Sequence, residues 1–145
     1  MEFIRHTLAT VAYRGGKTLR AAPEGFAHFQ AGGNVRTPGQ ILAHLGDLFD
    51  WALSLAMGAE VWRNSTPLSW PQEVGRFFTG ITALDDNLKG PTPPACPPER
   101  LFRGPIADAL THVGQLAILR RMAGSPVSGE NYFRAEIAIG KLGIE

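Results

Sequence analysis

Asp108 and His112 stand four residues apart in the run Asp108-Ala-Leu-Thr-His112-Val-Gly-Gln115. On a helix that spacing puts them one turn apart on a single face. A carboxylate and an imidazole so placed can grip a metal ion from one side. A third donor, His44, lies in the segment Thr37-Pro-Gly-Gln-Ile-Leu-Ala-His44-Leu-Gly-Asp47, and it completes the set only if the two helices face each other. Two imidazoles and a carboxylate suit a divalent first-row ion, and three protein ligands leave positions open for water or substrate. His44, Asp108 and His112 are therefore the expected metal ligands. Asp47, one turn from His44, is expected to act as a fourth ligand, an orienting partner for an imidazole or a general base. Gln115, three residues beyond His112, is expected to donate to a bound water or substrate. Asp47 and Gln115 are thus the expected catalytic residues.

Other residues read more plainly. A D-x-x-x-H pair recurs by accident, and a histidine on an amphipathic helix is more often a hydrogen-bonded core residue than a ligand. His28 lies between aromatics in a glycine-rich stretch, and His6 has no carboxylate at a useful spacing. Trp51, Trp62 and Trp70 read as core filling, with a pocket wall as the other role open to them. Cys96 stands alone among prolines, without a neighbouring base.

Four helices must position these groups. Residues 2–22 carry apolar side chains at three- and four-residue spacings, with Gly15-Gly16 as a point of weakness or breakage. Residues 23–34 read as a loop that returns two aromatics to the body. Thr37-Pro38 opens a helix that runs to about residue 57. In it Ile41, Leu45, Leu48 and Ala52 form one apolar row and His44, Asp47 and Trp51 the adjacent one. A third helix spans residues 71–89, with Ser69 and Gln72 at capping-box spacing. The adjacent Asp85 and Asp86 near its end are expected in solvent. Residues 90–100 contain five of the eleven prolines and read as an extended surface loop. The fourth helix covers residues 105–123, with Leu110, Val113, Ala117 and Met122 as its core row, and a short last helix is expected within residues 131–140.

The chain's 145 residues fit one domain, spanning 1–145, with core enough to dispense with disulfides. A hydrophobic share of 44% against 19% charged is ordinary globular composition. The 14 basic residues form no stripe, so nucleic acid is not an expected partner. No apolar stretch approaches the ~20 residues of a membrane span, and the first residues lack a secretory pattern. A cytoplasmic protein without membrane partners is the expectation. The fold class is all-α, an antiparallel four-helix bundle with a short extra C-terminal helix.

Arg36-Thr-Pro-Gly-Gln-Ile-Leu-Ala-His44-Leu, His112-Val-Gly-Gln115-Leu and Leu119-Arg-Arg together resemble the DinB-like family, which includes YfiT-like thiol transferases. The likeness covers nearly the whole chain. The family pattern has one histidine in its second helix and H-x-x-x-H-R-G-Q in its fourth. His44 and His112 match it, while Asp108 stands in place of the first paired histidine and Val113 in place of the arginine. The resemblance implies an up-down-down-up bundle, often a homodimer. It also implies a divalent metal, zinc or nickel first and iron or manganese next. The implied function is that of a metal-dependent thiol transferase or isomerase, or a hydrolase. A small-molecule substrate follows, a low-molecular-weight thiol being the family example. The alternative is a metal-free bundle serving as a binding or stress-response module.

Overall fold

The computed structural model describes residues 1–144. Four long helices dominate: α1 (Glu2–Leu19), α2 (Pro38–Ala56), α3 (Trp70–Lys89) and α5 (Ala107–Met122). A short α4 (Pro98–Leu101) and a π turn (Phe102–Ile106) lead into α5, and a single 3-10 turn (Phe26–His28) lies between α1 and α2. Among the described residues there is no strand, and no helix is long and apolar enough to cross a membrane.

Local chemistry sets the helix starts. Thr37 and Ser69 each accept a hydrogen bond from the backbone N–H three residues on, while Gln40 and Gln72 reach back to the capping residues' own N–H groups. Pro38 and Pro71 follow where the helix has no donor to lose. Pro98 uses the same tolerance to start α4, so a proline-rich segment expected as loop throughout closes with one helical turn. Pro105 explains what comes next. In an α-helix its ring would press on the carbonyl four residues back. The wide turn avoids this, with the Ala107 N–H bonding the Phe102 carbonyl.

α1 packs on α3 and α5, and α2 packs on the same two helices. Their shared core includes Leu8, Leu45, Phe49, Phe77, Ile81 and Leu116, all fully buried, each contributing about 1.5–3 kcal/mol by leaving water. The apolar row expected on α2 is the buried one, whereas α5 is turned from expectation. Its buried residues are Ala109, His112, Val113, Leu116, Leu119 and Arg120; Leu110 and Ala117 are half-buried and Met122 is exposed. Apolar side chains lie on every side of α5, so its pattern alone does not select a face.

Contacts at the helix ends fix the arrangement. Arg5 of α1 grips Asp85 of α3 with two hydrogen bonds, at 2.8 and 2.9 Å. Asp85 is thus buried against an arginine rather than in solvent, while Asp86 is exposed as expected. Arg120 of α5 donates to the carbonyls of Thr18 and Arg20 at 2.9 and 2.8 Å. Those are among the acceptors that a helix end leaves unpaired. The segment after α5 forms turns rather than the expected helix. It is tied to α1 instead, through Glu130 on Lys17 at 2.8 Å and the Tyr132 ring under Arg14.

Gly15 and Gly16 do not break α1. A Cβ on Gly15 would lie 2.7 Å from the Phe77 ring, so the glycine provides room for that ring to reach the core. Crowding in Gly15→Ala, worth about 1–3 kcal/mol, should outweigh the ~1 kcal/mol that alanine gains in helix propensity. Urea unfolding should therefore show a lowered midpoint; a raised one would mean that the ring yields.

Candidate metal centre

His44 on α2 and the Asp108/His112 pair on α5 face each other across the helix interface. Asp108 stands between the two imidazoles, Oδ2 lying 3.6 Å from His44 Nε2 and Oδ1 lying 3.5 Å from His112 Nε2. Both distances exceed hydrogen-bond length. The imidazole rings meet edge to face with centroids 4.7 Å apart. One donor atom from each residue lies within 4.8 Å of the others. Donors around a tetrahedral ion are about 3.3 Å apart, given metal–donor bonds of ~2.0 Å. The two carboxylate oxygens of Asp108 each approach one imidazole at near that spacing, the three donors lie close enough together to hold one ion, and their chemistry fits a divalent ion.

Gln115 lies against the pair through its amide oxygen. Its Oε1 accepts a hydrogen bond from His112 Nδ1 at 2.7 Å. An amide oxygen can only accept, so the contact puts a proton on Nδ1 and leaves Nε2 as the ring atom that faces Asp108 and His44. Fixing the tautomer in this way is how an outer partner orients a metal-binding imidazole.

Asp47 is buried and its carboxylate is engaged elsewhere. It accepts from the Ser65 N–H at 2.8 Å, the Ser65 hydroxyl at 2.6 Å and Arg76 Nη1 at 3.0 Å. The structure thus joins Asp47 to α3 and the 57–69 connection, and its carboxylate is not one of the three groups that converge. Arg76 also donates to Glu73, Asp50 and the Ala43 carbonyl. It can cross α2 so closely because Gly46 has no Cβ: one would lie 2.5 Å from the guanidinium carbon.

That connection supplies a wall for the site. Trp62 lies edge-on to His44 at 5.7 Å between centroids, and Trp51 lies edge-on to Trp62 at 5.6 Å. Trp62 is 43% exposed, so it borders the site without sealing it. Trp70, by contrast, packs on Phe26. His6 and His28 are exposed and take no part among the groups that converge. Trp62 thus takes the pocket-wall role left open to it, whereas Ser65, on a connection without periodicity, and Arg76, whose partners lie on other segments, were not visible from spacing.

No protein-family profile, curated protein or solved structure matches the chain. The geometry must speak for itself.

Burial holds the pKa of His44 below its ordinary value, with the His112 ring and the Arg36 charge adding to the effect and Asp108 opposing it. The ring is thus kept neutral, as a ligand must be. A base with a lower pKa in the folded state takes up its proton more readily in the unfolded chain. Stability should therefore decline as pH falls below about 6.5, until the folded ring is itself protonated. Thermal unfolding of metal-free protein between pH 8 and pH 5 should show this decline, and His44→Gln should flatten it. Parallel curves for the two proteins would assign the decline to another group.

Proposed function

We propose that this chain is a divalent-metal-binding protein, a metal-dependent enzyme of the DinB-like type with His44, Asp108 and His112 as ligands. One observation carries the reading: donors from two segments more than sixty residues apart in sequence converge from two helices, with the His112 imidazole oriented by Gln115. The resemblance puts zinc or nickel first, and the two-imidazole, one-carboxylate set suits iron or manganese as well.

The up-down-down-up order belongs to the same proposal. Arg5 with Asp85 and Gly15 with Phe77 support opposite directions for α1 and α3. Arg76 with Ala43 and Gly80 with Phe49 support a common direction for α2 and α3. His44 with Asp108, and Ile41 on one cleft with Gln115 and Ile118, support opposite directions for α2 and α5, and Arg120 with Thr18 and Phe3 with Phe102 support a common direction for α1 and α5.

A bound divalent ion supplies Lewis acidity, lowering the pKa of a coordinated water or thiol or polarising a substrate oxygen. The chain's own residues prepare for that chemistry. Gln115 orients His112, and Asp108 brings the one negative charge. Trp62 covers one side of His44 and reduces its contact with water. Asp47 acts through Ser65 and Arg76, holding the connection that carries Trp62. Transfer or isomerisation of a small thiol, or hydrolysis, is the reaction class proposed.

Metal analysis after loading with zinc or nickel and gel filtration tests this reading. The wild-type chain should retain about one ion per site, while His44→Ala, Asp108→Ala and His112→Ala should retain little. Gln115→Leu should bind about 10–100-fold more weakly. Equal, substoichiometric metal in wild type and all three ligand variants would return the cluster to a metal-free brace between α2 and α5.

A further inference from the structure

Arg36 lies immediately before the Thr37 cap of α2 and is exposed. Among the described residues no carboxylate lies within ion-pair distance of it. It nevertheless lines two clefts. One, of about 340 Å³, runs from Arg36 past Gln40 to His44 and is closed by residues 64–67 of the connection. The other, of about 440 Å³, runs from Arg36 over Ile41 to Gln115 and Ile118. The first ends at a proposed ligand, and the second at the residue that orients another. Arg36 is common to both.

Charge points the same way. The Asp47 carboxylate on the first cleft is already matched by Arg76 and by the Ser65 donors. A divalent ion held by two neutral imidazoles and one carboxylate keeps a single positive charge, and Arg36 adds another. The second cleft has an apolar side in Val35, Ile41 and Ile118, with Val35 and Ile118 each about half exposed. An unpaired guanidinium offers two parallel donors to an oxyanion.

We propose that Arg36 is the anion-recognition residue of the site, and that the substrate is a small molecule with three parts. It carries a metal-ligating atom, an apolar body and an anionic oxygen group, carboxylate or phosphoryl, that pairs with Arg36. The proposal rests on the metal reading above and adds the substrate's charge to it.

Matched hydroxamate probes test it. Acetohydroxamate, succinate monohydroxamate and phosphonopropionyl hydroxamate share one chelating head and differ in the arm. Titrated calorimetrically into zinc-loaded wild type, at least one of the acids should bind ten-fold or more tightly than acetohydroxamate. The tighter acid names the anion. Arg36→Gln should abolish the preference while leaving metal content, melting temperature and acetohydroxamate affinity unchanged. No preference in wild type, or the same preference in Arg36→Gln, would overturn the proposal.

Metal content is measured separately, so failure of the metal reading is seen by itself. In that event glutarate and phenylphosphonate are titrated into the metal-free protein by NMR. Shifts at residues 34–40 that vanish in Arg36→Gln would sustain the anion subsite, and identical titrations of the two proteins would overturn it.

Discussion

The guanidinium of Arg76 is the group on which the rest of the arrangement depends. It lies between α2 and α3 and pairs with two carboxylates, Asp47 and Glu73, that are almost fully buried. Removing one partner from a buried pair costs about 3–5 kcal/mol, because the other charge is left uncompensated. Each carboxylate in turn holds the connection that leads into α3: Asp47 through Ser65, and Glu73 through the Leu68 N–H. Trp62 sits on that connection, so the wall beside His44 is fixed by an ion pair formed on the other side of the segment. Gly46 is the sequence's allowance for it, since any larger residue would displace the guanidinium.

α5 brings the other half of the site, and its rotation is decided before it begins. A π turn holds one residue more than an α turn, so everything after it is rotated by about 100° from a regular continuation. Leu101 and Ile106 are buried on either side of the turn. With Leu101 in place, a regular turn would swing Asp108 and His112 away from α2. Arg120 then pins the far end of the helix to the last carbonyls of α1. A helix with apolar residues on all sides is thereby given a single orientation by its two ends.

This division explains what could be read in advance. Helix starts were legible because capping is local: Thr37 with Gln40 and Ser69 with Gln72 state their geometry within four residues. The buried row of α2 was legible because its period is clear. The Asp108/His112 pair was legible as an i, i+4 set, but its meeting with His44 was only a condition, since no spacing within either helix says that the two face each other. The core face of α5 was not legible, because its ends rather than its pattern select it. Asp85 was taken for a solvated residue, and only Arg5, eighty positions away, makes its burial tolerable. Gly15 looked like a defect because a single sequence does not show Phe77 arriving from α3. Asp47 shared the row of His44 and looked like a participant, but its partners lie on a connection without periodicity.

The exposures within the triad have a further consequence. Asp108 has 47% of its side chain exposed, whereas His44 and His112 have 17% and 11%. The buried members can be neutral, and the charged member keeps much of its hydration. Burying an unpaired carboxylate here would be costly, as the need of Asp47 and Glu73 for Arg76 illustrates. A cluster with its charge at the rim and its imidazoles inside thus sits on helices held by a core that 145 residues suffice to build. A core of that size does not require a metal to form, unlike the small domains that zinc organises. Binding of an ion would then add stability by mass action, growing with the logarithm of free ion over the dissociation constant.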